Sequence, residues 1–580
     1  MLLPIGVTPY YGDDIFNSYI NGAIASAHAP FWTFFQDLNA NWMRAGRFFP
    51  GALIESYGLF HILPELAPYK AFQILITLLN VVTFYFVLRE LRMSRAASLM
   101  AVVVLVASFQ IRAYHDGLLG FSGNIEFITE VALIGTLGLL IFARSGNRWW
   151  YAAAIAIYAA GLVTYEATYL YWIIFVAVLL LRLPVRRALV AAAPFVLMSA
   201  ATILAQLYVK SSAHTQADAD YNLRFNLGDL TRTFFEQAIA AVPTSYLVID
   251  PANLYGHGFA LFAHVPVWIG IAIFALVTGT VWMLSGAFDR AAVPDKRTIL
   301  TLVITGLVLW LTPALLVASS ARYQRELTFG LGHVPVYIEY FGVTLLIIAI
   351  GALAVGRLGV PGRNARVTLA VILGVIATST YASNAVVIAM TAPDKEGLLN
   401  ISAALRAGLL DGVPSKADLY LDQAISANRY LDGSGADAKY FYILHAGKPI
   451  EAHSIGSLAS GCGTSCKAPK NAYELLNVPA GEYAGFDALG HLDTIAQKNG
   501  LVESDASAVL LFVRGLGPNS SLTLSYEERG CADGDRTATE TLLGGPGGII
   551  SVGLPTACRS IAMNTITLED PLASGTADAR

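Results

Sequence analysis

Ten apolar runs of roughly fifteen to twenty-five residues recur along the first two-thirds of this 580-residue chain. A helix rising about 1.5 Å per residue needs about 20 such residues to cross some 30 Å of hydrocarbon. The runs fall near 70–88, 96–109, 125–143, 150–164, 169–182, 188–207, 260–285, 299–318, 336–355 and 367–390. The second, fourth and fifth are short for a crossing. In lipid every backbone polar group must be paired internally, so a chain built this way has to be a helical bundle there. The expectation is an α-helical polytopic membrane protein of about ten spans.

Composition agrees. Charged residues make up 13% and hydrophobic ones 55%, against about 25% charged in a soluble domain. That excludes an ordinary cytoplasmic enzyme and a disordered chain alike. The net charge of -4 offers no basic excess to a nucleic acid. Divided near residue 391, the average resolves into two regions. Residues 1–391 hold 23 Lys and Arg against 19 Asp and Glu, and the remainder holds 14 against 22. One region is a membrane domain, and the other is an acidic soluble one.

Orientation follows from the positive-inside bias of short loops. Five connections, carrying Arg89/Arg92/Arg95, Arg144/Arg148, Arg182/Arg186/Arg187, Arg290/Lys296/Arg297 and Arg357/Arg363/Arg366, hold 14 of the 23 cations of the membrane region. These loops are read as cytoplasmic. The loops 1–69, 208–259 and 319–335, and everything after residue 391, then lie outside. An external N-terminus with no signal-peptide pattern implies a further helix upstream of Met1, which would make eleven spans. The alternative is translocation of a short, weakly charged N-terminus by the helices that follow.

After Met390 the periodicity changes. Lys395–Leu410 repeats apolar residues at helical spacing and reads as a surface helix. β-rich runs follow at 417–421, 439–444, 508–513, 521–526, 548–552 and 561–568, punctuated by Gly, Pro, Ser and Asp. Residues 392–580 are expected to form an extracytoplasmic α/β domain. All four cysteines lie in it. Their even number outside the cytoplasm predicts disulfides, with Cys462–Cys466 and Cys531–Cys558 the favoured pairing. The CxxxC spacing and the lack of a nearby His pair argue against zinc.

Candidate chemistry collects on the external side. Asp13 and Asp14 follow Tyr10-Tyr11-Gly12, and such carboxylates can deprotonate an acceptor or hold a cation; as a bland alternative they cap a helix through 15–27. Arg44 and Arg47 could pair with a lipid phosphate or snorkel to headgroups. Tyr165 and Glu166 sit in a turn between spans too short to solvate a carboxylate freely. His115 and Asp116 occupy another loop, where a lone histidine is more often surface than catalytic. Arg322, Arg325 and His333 lie among aromatic and glycine residues in the last external loop, which suits an anionic headgroup beside an apolar tail; Arg–Glu cross-links within that loop are the structural alternative. Asp218, Asp220, Arg224 and Asp229 are further candidates in the segment 208–259.

An Asp pair in the first external loop, a downstream Gly46-Arg47, many spans joined by short basic inner loops and a C-terminal external domain together resemble the GT-C superfamily of integral-membrane glycosyltransferases. The bacterial enzymes that modify cell-surface polysaccharide look most similar. The resemblance covers residues 1–391, and its motifs are short and degenerate. It implies a polyprenyl-phosphate-linked sugar as donor, a glycan or lipid-linked acceptor, a catalytic base at Asp13 or Asp14, and a phosphate contact at Arg47. It places the chain in a bacterial cytoplasmic membrane. No cofactor is required, although the Asp pair could share a divalent cation. A lipid-linked oligosaccharide polymerase or ligase, and a transporter or flippase, are the competing readings. A transporter is expected to show internal repeats and midplane polar sites, and no repeat is visible.

Overall fold

The computed structural model describes residues 3–112, 116–212, 223–245, 265–287, 294–359, 361–421, 438–460, 465–478, 486–498, 501–514, 521–543, 548–555 and 557–569. His115, Asp218, Asp220 and Cys462 lie outside the described residues. Two compact units are present. The first comprises Met1–Asp14 and Phe31–Met390, and the second Ile15–Pro30 and Thr391–Arg580.

The chain begins with short helices: α1 (Leu3–Val7) in the first unit, α2 (Asp13–Asn17), whose first two residues belong to the first unit and the rest to the second, and α3 (Ile20–Ala27) in the second. α4 (Phe31–Arg44) and α5 (Pro50–Ile62) precede the bundle. The bundle runs through α6 (Leu66–Glu90), α7 (Arg95–Ala107), α8 (Asn124–Ser145), α9 (Arg148–Leu162), α10 (Trp172–Arg182) and α11 (Val185–Ser211). It continues with α12 (Leu227–Ala240), α13 (Val267–Gly286), α14 (Lys296–Ala318), the single turn α15 (Tyr323–Glu326), α16 (Val336–Leu358) and α17 (Arg363–Arg406). Each of the ten apolar runs coincides with a helix. Seven of these, α6, α8, α11, α13, α14, α16 and α17, are long and apolar enough to cross a membrane among the described residues. The shorter three, α7, α9 and α10, have 13, 15 and 11 residues. The chain is thus a polytopic membrane protein.

Local chemistry sets the helix starts at the basic loops. Ser94 accepts from Ala97 N–H, Asn147 from Trp149 N–H and Asp295 from Thr298 N–H, each satisfying a donor that the first turn leaves free. Inside, the bundle packs aromatics edge to face, with Phe84 and Phe341 at 5.4 Å and 86° and Tyr158 and Phe175 at 5.2 Å and 87°. Outward sides of the bundle helices remain apolar and exposed, as at Leu204 and Trp268.

In the second unit α18 (Ala438–Ala446) and α19 (Ile455–Ser460) accompany a mixed sheet of eleven strands among the described residues. The strands are β1 (Ala417–Leu421), β2 (Ile450–Ser454), β3 (Ser465–Lys467), β4 (Ala472–Val478), β5 (Phe486–Lys498), β6 (Leu501–Val513), β7 (Ser521–Arg529), β8 (Arg536–Leu543), β9 (Gly548–Val552), β10 (Ser560–Ala562) and β11 (Thr567–Glu569). The main path is β11-β7-β10-β6-β5-β4-β1-β2, with β3 on β5, β8 on β7 and β9 on β6. β1 pairs in parallel with both β2 and β4, and the other pairings are antiparallel. β7 alternates strictly, burying Leu522, Leu524, Tyr526 and Glu528. Buried Glu528 is satisfied by Arg536 at 2.7 Å. Cys531 and Cys558 form a disulfide, and Cys466 is disulfide-bonded as well.

Two expectations are corrected. The run 439–444, read as β-rich from its Tyr, Phe and Ile content, is the helix α18. Its neighbour explains the outcome: Tyr19, just before α3, meets Phe441 with ring centroids 6.4 Å apart, and a Cβ on Gly22 would lie 1.9 Å from the Tyr440 carbonyl oxygen. A tertiary contact has overridden local propensity. The segment 395–410 is not a separate surface helix, because α17 continues unbroken from Arg363 to Arg406.

Candidate functional site

Gly12 adopts φ +54°, a left-handed conformation that L side chains rarely take. It closes the turn in which Asp14 N–H donates to Tyr11 O at 3.1 Å and starts α2. The two acids that follow diverge. Asp14 is fully buried and accepts a hydrogen bond from the Tyr69 hydroxyl. Gln73 in turn donates to the Tyr69 oxygen at 2.7 Å. Asp13 is open to solvent but ringed by protein. Burial pushes its pKa up from the usual carboxylate value, while the guanidinium groups of Arg322 and Arg47 pull it back.

Arg47 and Arg322 come from loops 275 residues apart, and each is held from behind. Arg47 lies over the rings of Phe49 and Trp42 at 4.6 and 5.3 Å, where cation–π attraction orients it. Its loop is tied to α11 by Phe48 N–H donating to Gln206 Oε1 at 3.1 Å. Gly51 supports the same loop. Its N–H donates to Val163 O at 2.8 Å, and a Cβ there would lie 2.4 Å from Thr164 Oγ1. Arg322 is braced by a two-point contact to Glu326, its Nε donating at 3.0 and 3.1 Å.

The remaining predicted residues are spread more widely. Arg44 ends α4 and donates to Asn41 at 3.1 Å. Tyr165 precedes the 3₁₀ turn Glu166–Leu170. Glu166 is within electrostatic reach of Lys210 at the end of α11, as is Arg47, so these two predicted residues share a neighbour. Arg325 is exposed on α15. His333 is buried, its ring against Tyr323 at 4.1 Å and its backbone N–H donating to Gln237 Oε1 at 2.8 Å. Gln237 also donates to buried Glu339 at 2.9 Å. Arg224 pairs with Asp229 at 3.3 Å. Asp116 accepts from the N–H groups of Arg112, Leu118 and Leu119 at 2.8, 2.8 and 2.9 Å. Burial nevertheless raises its pKa to about 6, against the opposing pull of Arg112.

Sequence reasoning missed an inner layer behind Asp14. Glu55 on α5 and Glu126 on α8 have carboxylate oxygens sealed from solvent. Glu55 is pushed well above the ordinary glutamate range, by burial first and then by the charges of Asp14 and Glu126. Buried Lys70 on α6 donates to Gln73 at 2.9 Å and Leu119 O at 3.1 Å, and its charge reaches Glu126. The available signal was an ionisable residue inside or at the edge of an apolar run, which is costly unless used. Glu126 and Lys70 satisfy that description.

No trio of metal-ligating groups converges on Asp13 or Asp14 among the described residues. The one close trio there, Glu528 with Cys531 and Cys558, has both sulfurs in the disulfide. That trio does not fit a bound cation.

No family model matches this sequence, and no curated protein matches it. Among solved structures, the chain is similar to ArnT from Cupriavidus metallidurans bound to undecaprenyl phosphate. The TM-score is 0.38 at 10% identity, over 82% of this chain and 90% of that one. It is similar also to the arabinosyltransferase EmbB from Mycobacterium smegmatis, with a TM-score of 0.23 at 15% identity over 86% of this chain and 57% of that one. Both superpositions are loose.

Proposed function

We propose that the chain is a GT-C-type membrane glycosyltransferase that moves a sugar from a polyprenyl-phosphate donor to a cell-surface glycan or lipid-linked acceptor. The reaction takes place at the outer face of a bacterial cytoplasmic membrane. The observation that carries this reading is the accessible Asp13 carboxylate under the joint field of Arg47 and Arg322. Asp13 takes the proton of the acceptor hydroxyl, whose oxygen bonds to the anomeric carbon as the bond to the lipid phosphate breaks. The electron pair leaves on the phosphate oxygen, and the two guanidiniums receive that charge. A single displacement inverts the anomeric centre. Because burial raises the Asp13 pKa, the base stands nearer to neutrality than an ordinary aspartate, which favours proton abstraction. Asp14, held by Tyr69, fixes the turn rather than reacting.

The test is sugar transfer from a polyprenyl-phosphate donor by the Asp13→Asn variant, read by mass spectrometry of the product. Loss of about 10²–10⁴ in kcat at normal expression is expected. Full activity would remove the assignment. Activity retained in Asp13→Asn but abolished in Arg322→Ala would favour a polymerase or ligase that works through the last loop.

A further inference from the structure

A second site lies at the opposite, basic-loop end of the bundle and is independent of the glycosyl-transfer reading. Between α8, α9 and α11 an open cleft of about 480 Å³ is walled by Phe142, Tyr151, Val190 and Ala191, with Arg186 and Arg187 completing its lining. The wall is built rather than accidental. Tyr151 donates its hydroxyl proton to Ala191 O at 2.8 Å and packs on Phe142 at 5.0 Å.

The nearby arginines are used differently. Arg144 is paired with Glu90 at 3.0 Å, and Arg182 donates to the Glu90 carbonyl at 2.6 Å. Arg186 and Arg187 are exposed and have no carboxylate partner among the described residues. Two adjacent uncompensated guanidiniums beside an apolar, aromatic-lined cleft match a molecule that carries a phosphate at one end and hydrocarbon at the other. The depth fits as well. Trp149 and Trp150 precede Tyr151 on α9 and are 81% and 41% exposed, and interfacial tryptophans mark the headgroup level. Basic pockets between helices on this side of a membrane hold anionic headgroups.

We propose that this cleft binds one anionic glycerophospholipid of the cytoplasmic leaflet. The phosphate is held by Arg186 and Arg187, and an acyl chain lies along Phe142 and Val190. No bond is made or broken, and the lipid is a structural ligand of the bundle.

The experiment is native mass spectrometry of the full chain, purified in detergent with phosphatidylglycerol or phosphatidylcholine added. The intact protein should retain one phosphatidylglycerol in preference to phosphatidylcholine. The double variant Arg186→Gln/Arg187→Gln should retain about 25-fold less, each juxtamembrane arginine being worth a factor of about five. Arg186→Lys/Arg187→Lys keeps both charges and should hold most of the binding. Arg363→Gln, at the same end but outside the cleft, should leave it unchanged. Equal retention of the two lipids would overturn the proposal, as would undiminished retention in the Gln pair. So would an equal loss in Arg363→Gln, or displacement by millimolar inorganic phosphate, which would mean a site for free anions.

Discussion

At the scale of single residues, two adjacent carboxylates have been given opposite surroundings. Asp13 keeps exposed surface and lies within electrostatic reach of two guanidiniums, and Asp14 accepts from the Tyr69 hydroxyl in the interior. Their substitutions should therefore separate. Asp13→Asn is expected to lose activity while unfolding at the normal temperature. Asp14→Ala leaves the buried Tyr69 donor unpaired and should lower the unfolding temperature, at a cost of about 1–3 kcal/mol. The pH profile gives a further check. Since the Asp13 pKa is raised, kcat/KM should climb with pH through an inflection above the usual aspartate range. Arg322 pulls that pKa down, so Arg322→Ala should move the inflection to higher pH. An inflection that stays in place would detach Arg322 from the base. Asp13, Arg47 and Arg322 were legible in the sequence because few charges of residues 1–391 lie outside the five basic loops, which makes each one conspicuous. Glu55, Lys70 and Glu126 were not, because each is a single charge embedded in apolar sequence and acquires meaning only when α5, α6 and α8 come together.

At the scale of elements, the bundle helices were readable because lipid leaves the backbone no other solution, and an apolar run of sufficient length already specifies its conformation. α18 shows the opposite case. Its composition favours a strand, and its helical state depends on α3, some 400 residues earlier in the chain. No local pattern can report such a partner. The contact is tight enough to reverse an ordinary rule. Replacing a helical glycine by alanine normally stabilises by up to about 1 kcal/mol, yet a Cβ on Gly22 would meet the Tyr440 carbonyl oxygen at 1.9 Å. Gly22→Ala should therefore destabilise the second unit by about 1–3 kcal/mol, visible as a lower calorimetric transition for that unit. An unchanged or higher transition would show that α3 and α18 are not packed as described.

At the scale of the whole molecule, the two units should unfold as separable transitions, and titration of one buried acid distinguishes them. In the second unit Asp487 is fully buried and accepts from Asn400 at 2.6 Å and from Asn477. Burial raises its pKa from 3.8 to about 7 despite those donors. A carboxyl that binds its proton more tightly when folded contributes stability at low pH. That contribution is lost as pH rises from about 4 through 7. The second unit's transition should fall across that window, by on the order of 10 °C, and Asp487→Asn should flatten the dependence. The contact between α3 and α18 also counts crossings. Two helices that share a packed face must lie in the same compartment, so the chain between them has to traverse the bilayer an even number of times. The seven long apolar helices make an odd number. If all seven cross, at least one further segment crosses too, and α7, α9 and α10 are the apolar runs left over among the described residues.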